Sequence, residues 1–257
     1  MKSFGYDLHI HSCLSPCADN DMTPNNIAGT AALAGIEIMA LTDHNSAKNC
    51  PAFFEAAERY GVIPVAGMEL TTSEDIHAVC LFDTLDGALG FDSLVYSRLV
   101  KIANRPDIFG EQLIMNGEDE VVGREEFLLS YASDISIDEV AALVTPYGGV
   151  AYPAHIDRQA NSVTAVLGAF PENAGFTCAG FHDKSKIGEL ANIYPEVRSR
   201  LCLVSSDAHF LWDIRDKDNY ITLDCDEKDS SSVRRALINK LKTGESQIGR
   251  ASCRERV

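Results

Sequence analysis

The sequence predicts an α/β fold in which strands and helices alternate around a parallel sheet, interrupted once by an α+β insertion. Three observations predict it. Apolar runs of strand length recur along the 257 residues, as in IEIMALTDH, VIPVAGMEL and RLCLVSSDAH, and such continuous runs suit strands covered on both faces. Segments with helical periodicity and cap signals separate most of them. Histidines and acids gather where the apolar runs end.

Taken in order, Phe4 to Ile10 reads as the first strand. After the polar turn SCLSPCADNDM, Thr23 as cap and Pro24 at the first helical position open a helix. It runs through NNIAGTAALA and stops at Gly35, a residue suited to a left-handed helix end. IEIMALTDH is the second strand, PAFFEAAERYG an amphipathic helix, VIPVAGMEL the third strand and EDIHAVCLF the fourth. Between about Asp83 and Asp134 the alternation breaks. FDSLVYSRLVKIAN and REEFLLSYA read as helices, and FGEQLIMNGEDEVVG as a hairpin turning at Asn116-Gly117. This insertion carries no histidine and is expected to lid or flank the barrel. Ser136 to Glu139 then form a capping box that opens IDEVAALVTPYG. GGVAYPAHI, FTCAGFH and RLCLVSSDAH are strands, YITLDC is a candidate last strand, and SSVRRALINKLKTG is a closing helix. About seven core strands result.

Composition narrows the function. At 46% hydrophobic and 23% charged, the chain suits one globular domain, expected over residues 1–247 with the insertion at about 83–134. The last ten residues, IGRASCRERV (248–257), match the translation of a common short-read sequencing adapter and are expected to be foreign to the natural chain, Cys253 with them. MKSFGYDLHIHS lacks the apolar stretch of a signal peptide, and no run reaches membrane-span length, so a cytoplasmic location without a membrane partner is the expectation. The eight cysteines are scattered and read as reduced core residues. Cys13 and Cys17 flank the turn beside the first histidines, but no second pair has zinc-finger spacing. The net charge of −16 disfavours an extended nucleic-acid partner, leaving a short oligonucleotide or a small anion at a locally positive site.

The chemistry sits at the strand ends. In DLHIHS, His9 and His11 are two apart, so on a strand they point to one face about 7 Å apart. That is within reach of one metal ion, although a hydrogen-bonded histidine layer has the same spacing. Asp43 and His44 end the second strand, Glu69 the third, His155 the strand YPAHI, and Asp207 and His209 the strand LVSSDAH; His77 lies on the fourth. In a parallel barrel the C-terminal strand ends share one side. Each residue alone has an ordinary explanation: a cap, an ion pair, a satisfied core histidine. Six of the seven histidines at such places, with carboxylates among them, point instead to divalent zinc, manganese or iron. So many ligands exceed the needs of one ion and suggest two or three.

The set H-x-H, TDH, a lone Glu, a lone His, PAH and D-x-H, in this order, resembles the polymerase and histidinol phosphatase (PHP) superfamily over most of residues 5–247. The resemblance implies a distorted TIM-like (β/α)7 barrel, three divalent ions (Mn, Zn or Fe) and hydrolysis of phosphate esters. It implies that His9, His11 and Asp207 bind a first ion, and that Glu69 bridges this ion and a third. His77 and His155 would complete the third. His44 and His209 would hold the second with an acid of the first loop. The family pattern S-D-G-x-x-T-P is longer here, SPCADNDMTP, and counting back from Thr23-Pro24 selects Asp19, with Asp21 the alternative. Asp43 is expected to orient a ligand. Arg158 is a candidate phosphate clamp or a surface ion pair, and His182 a candidate substrate contact or an ordinary histidine; Lys184 and Lys186 are weaker anion candidates.

Three dications against Glu69, Asp207 and Asp19 leave a positive site, able to hold a phosphate on an acidic protein. The expected reaction is hydrolysis of a small phosphate monoester, of nucleotide or histidinol-phosphate type, by a metal-bridging hydroxide. The alternatives are an oligonucleotide phosphodiesterase or exonuclease with the same chemistry, an amidohydrolase, which also begins with H-x-H, and a non-catalytic metal-binding regulatory domain.

Overall fold

A computed structural model describes residues 1–244; the tail at 248–257 lies outside the described residues. The strands are β1 (Lys2–Asp7), β2 (Ile38–Leu41), β3 (Ile63–Thr71), β4 (His77–Phe82), β5 (Leu113–Met115), β6 (Val121–Arg124), β7 (Gly149–Pro153), β8 (Cys178–Phe181), β9 (Leu201–Val204) and β10 (Tyr220–Leu223). The helices are α1 (Pro24–Leu33), α2 (Cys50–Tyr60), α3 (Leu85–Arg98), α4 (Pro106–Phe109), α5 (Ile137–Val144), α6 (Val163–Leu167), α7 (Ile187–Ile193) and α8 (Ser230–Thr243). Capping follows the sequence: Thr23 Oγ1 accepts from Asn26 N, and Ser136 with Glu139 forms the full capping box.

Six strands form one sheet in the order β10-β1-β2-β3-β4-β7, and β8 pairs with β9 in parallel. The sheet curls so that this pair lies between β7 and β1. Ile156 N–H donates to Gly180 O at 2.8 Å on one side; Asp207 N–H donates to His9 O at 2.9 Å and His11 N–H to Ala208 O at 3.0 Å on the other. The expectation of a wholly parallel set of core strands is corrected at β4, which runs antiparallel to β3 and β7. Only residues 72–76 separate β3 from β4, too few for a parallel crossover but enough for a hairpin.

Alternation along the strands builds two apolar layers. Leu8, Ile38, Val65, Val79, Leu81, Tyr152 and Leu203 form one, joined by Val233, Leu237 and Leu241 of α8. Met39, Leu41, Met68, Cys80 and Phe82 form the other, packed against Ile27 of α1, Phe53 of α2 and Phe91 of α3. The seven described cysteines are free, and Cys13, Cys50, Cys80 and Cys178 are buried. Among the described residues no helix is long and apolar enough to cross a membrane.

The insertion flanks the loop that follows β1: Leu113 N–H donates to Cys13 O at 2.8 Å. The β5–β6 hairpin forms as expected, but its left-handed turn residue is Asp119 (φ 60°), not Gly117. The helix expected over REEFLLSYA is absent, and α3 stops at Arg98. Tertiary hydrogen bonds take the backbone groups that a helix over REEFLLSYA would use. Gln112 bonds Glu125 O, Phe127 O and Leu129 N, and Asn45 Nδ2 donates to Leu129 O and Tyr131 O.

Candidate metal centre

The strand ends converge as the pattern requires, although His9 and His11 lie just past β1 rather than on it. The segment carrying them is held extended by Ala208 on one side and Thr42 on the other: Thr42 N–H donates to Ile10 O at 2.8 Å. His44 lies in a parallel bridge with Glu69, closed by Glu69 N–H to Asp43 O at 3.0 Å and Asn45 N–H to Glu69 O at 2.9 Å. The reversal of β4 brings its first residue, His77, opposite Thr71 at the end of β3. His77 thus reaches the same side as the C-terminal ends of β1–β3, which a parallel β4 would have denied it. His155 and Asp207 follow β7 and β9 with left-handed backbones, φ 28° and 53°. Such conformations are costly for non-glycine residues and concentrate at functional sites.

Glu69 is the centre. Its Oε1 lies 3.0 Å from His9 Nε2, 3.1 Å from His77 Nδ1 and 3.1 Å from His155 Nε2. Its Oε2 lies 3.3 Å from both His11 Nε2 and His44 Nδ1. Asp207 Oδ1 faces His9 and His11 at 3.4 and 3.2 Å. His209 stacks on His11 with ring centres 4.3 Å apart and turns Nδ1 to Asp207 O at 2.8 Å. Three groups of atoms are spaced for metal ligation: His9, His11, Glu69 and Asp207; His44, Glu69 and His77; and His11, His44 and His209. Within this cluster His44 Nδ1 and His77 Nδ1 are buried and make no well-formed hydrogen bond, each facing only the Glu69 carboxylate. Buried polar atoms are normally paired, so imidazole nitrogens left unpaired and converging on a shared carboxylate fit divalent zinc, manganese or iron.

Without an ion, the imidazoles and carboxylates of the cluster balance one another's charge. Burial alone would raise both carboxyls. Histidine charge overrides it: His77 and His9 hold Glu69 well below its usual range, and His9 with a hydrogen bond from His11 lowers Asp207. His11 is pushed up to about 10: burial lowers it, and hydrogen bonds to Asp207 and Glu69 outweigh that. His209 falls to about 4 through burial and the neighbouring His11 charge, and burial takes His44 well below its ordinary value.

Asp43 does not enter the cluster. It accepts from Ser12 N at 2.7 Å, Ser12 Oγ at 2.6 Å and Ser15 Oγ at 2.7 Å. Ser15 Oγ in turn lies 3.0 Å from His11 Nδ1 and accepts from His44 N–H at 3.1 Å. Ser15 escaped the sequence reading; its only signal is its place four residues after His11. Asp19 is half-buried outside the three groups, its Oδ1 accepting from Asp21 N at 2.8 Å while its own N–H donates to His209 O at 2.9 Å. Asp21 is exposed and likewise outside them.

Arg158 and His182 stand beside the cluster. Arg158 Nη2 is 3.2 Å from Asp207 Oδ2 and 3.2 Å from His182 Nδ1. Arg215, which the sequence reading missed, places Nη2 2.8 Å from His182 Nε2. Burial and these two guanidinium charges lower His182. Lys184 and Lys186 occupy an exposed turn, Lys186 paired with Glu189 at 2.9 Å.

Comparison with known proteins gives three findings. The PHP domain family model matches residues 7–167. An error-prone DNA polymerase from Symbiobacterium thermophilum is 33% identical over 97 residues, 38% of this chain and 8% of the polymerase. Two solved structures share the fold at 18% identity. The lesion-specific endonuclease PfuEndoQ from Pyrococcus furiosus superimposes with a TM-score of 0.66 over 96% of this chain and 57% of that one. A protein from Bifidobacterium adolescentis, assigned as a metal-dependent phosphoesterase, superimposes with a TM-score of 0.58 over 96% and 99%. The chain thus spans a small fraction of the polymerase and little over half of the endonuclease.

Proposed function

The chain belongs to the PHP domain family, and on that premise we propose that it is a metal-dependent phosphoesterase acting on small phosphate monoesters of nucleotide or histidinol-phosphate type. The observation that carries this reading is the single carboxylate of Glu69 within 3.3 Å of five imidazoles, a donor set suited to divalent ions. We assign three ions, manganese, zinc or iron, to a TIM-like barrel of seven strands (β1–β4 and β7–β9), within one domain over residues 1–247 and with 83–134 as its insertion. His9, His11 and Asp207 would hold one ion, His44 and His209 a second, and His77 and His155 a third, with Glu69 shared. Asp19 is preferred to Asp21 as the acid of the second, because its backbone is tied to His209.

Bound divalent ions supply Lewis-acid stabilisation of phosphoryl oxygens and lower the pKa of water. The chain's own residues do the rest. The apolar layers and short loops hold the imidazoles in place. Asp43 fixes Ser15, and through it His11. Arg158 and Arg215 bring positive charge to the edge of the cluster. A neutral imidazole accepts on one nitrogen only, so His182 cannot satisfy both guanidinium groups, and the surplus donor is available to a phosphate oxygen.

The fold shared with a lesion-specific endonuclease supports a second reading, phosphodiester hydrolysis in a short oligonucleotide. The test is phosphate release from AMP, histidinol phosphate and a 5′-phosphorylated dinucleotide by manganese-loaded protein, with metal content measured in parallel. In Glu69→Ala, metal content and turnover are both expected to collapse, turnover by about 10³-fold or more. Near-normal turnover in that variant would end the proposal. Dinucleotide cleavage without monoester hydrolysis would move it to the second reading.

A further inference from the structure

An aromatic pair borders the metal centre. Phe210 and Trp212 follow His209 directly, and their rings stack with centres 4.7 Å apart at an interplanar angle of 13°. Trp212 is the only tryptophan of the chain and is 77% exposed. It is not a core residue, and Phe210 backs one face of the indole, leaving the other open. The pair lines a cleft of about 570 Å³ whose other walls include Arg158, Arg215, Asp207 and His209. One open hollow therefore holds candidate metal ligands, two guanidinium groups and a flat apolar surface.

We infer that Phe210 and Trp212 form a base-stacking subsite, so that the preferred substrate is a phosphate ester carrying a nucleobase within one nucleotide of the phosphate. The inference rests on the phosphoesterase reading for its reaction, but the binding claim stands apart from turnover. Three features favour this occupant. A base offers a π-face of matching size to an indole, and such stacking tolerates any base. The arginines place positive charge in the same cleft, where the phosphate of that nucleotide would lie. The chain as a whole carries a net charge of −16, whereas the cleft sets Arg158 and Arg215 against Asp207 and Asp213 and is balanced in charge.

The single tryptophan makes the test direct. Its emission, excited at 295 nm, is followed while full-length protein is titrated with AMP, ribose 5-phosphate and a 5′-phosphorylated dinucleotide, first after EDTA treatment and then with zinc. Saturable quenching by AMP, with ribose 5-phosphate silent, is expected. A dinucleotide that binds at least ten-fold tighter than AMP would assign the subsite to an oligonucleotide end, and equal binding to a mononucleotide. In turnover assays, the ratio of KM for AMP to KM for ribose 5-phosphate is expected to rise about ten-fold in Trp212→Ala and to return in Trp212→Phe. Quenching without hydrolysis would keep the subsite and remove the phosphoesterase reading. Hydrolysis of AMP with no base-dependent quenching and an unchanged KM ratio would do the reverse. An emission shift that depends only on protein concentration would show a second copy covering Trp212, and would overturn the subsite.

Discussion

Ser15 shows how one hydroxyl orders a ligand. Its single proton goes to Asp43 Oδ1 at 2.7 Å, so it can only accept from its other neighbours. His11 Nδ1, 3.0 Å away, must therefore carry its proton towards Ser15, which turns the Nε2 lone pair to Glu69 and Asp207 when the ring is neutral. Partners of this kind fix tautomer and ring orientation. Ser15→Ala is expected to weaken manganese binding about 10- to 100-fold with the far-ultraviolet circular dichroism unchanged. Titration calorimetry with the metal checks it, and an unchanged affinity would mean that the Asp43–Ser15 chain does not orient His11.

At the scale of elements, the loop after β2 decides how the insertion meets the site. Asn45 has a left-handed backbone, φ 48°. Its Oδ1 accepts from Thr71 N–H at 2.8 Å, and its Nδ2 donates to Leu129 O and Tyr131 O at 2.7 and 2.8 Å. One side chain thus ties the end of β3 to the segment that sequence periodicity assigns to a helix. Asn45→Ala removes two buried hydrogen bonds and one part-buried one and leaves an unfavourable φ, at a cost of about 2–4 kcal/mol. The urea midpoint is expected to fall accordingly, while a fall worth less than about 1 kcal/mol would mean that water replaces those bonds. The missing helix over REEFLLSYA has the same cause, since intrinsic propensity yields to tertiary partners. The reversal of β4 was legible in principle, because the five residues between β3 and β4 forbid a parallel crossover.

For the whole molecule, the seam between β1 and the segment after β9 matters most. Asp7 is buried there and accepts from Ser206 N at 3.2 Å and His9 N at 3.3 Å. Burial, partly offset by those bonds, raises its carboxyl to about 6 from 3.8. The native state therefore keeps a proton that the unfolded chain loses near its ordinary pKa. Between those two values the native state binds more protons, so Asp7 lowers stability as pH rises through that window. The loss, roughly 3 kcal/mol, is complete above about pH 6. Asp7→Asn is expected to change little at pH 4 and to stabilise the metal-free protein by an amount of that order at pH 7, compared with wild type by urea unfolding. An equal difference at both pH values would show that Asp7 is not the group responsible.

Residue types and their short spacings reveal the chemistry. His9 and His11 two apart, TDH, a lone Glu69, and Asp207 with His209 lie at the ends of apolar runs, and metal-ligand chemistry restricts few other residue sets to such places. The strand runs, the caps at Thr23 and Ser136 and the β5–β6 hairpin were legible for the same reason: each is a contact between near neighbours in the chain. Ser15 joining Asp43 to His11, Arg215 joining His182, the irregular course of residues 125–132 and the position of Asp19 were not. Those depend largely on pairs far apart in the chain, from 28 residues for Ser15 with Asp43 through 84 for Asn45 with Leu129 to 190 for Asp19 with His209. Local periodicity carries no term for such pairs, so only the packed chain chooses which donor meets which acceptor.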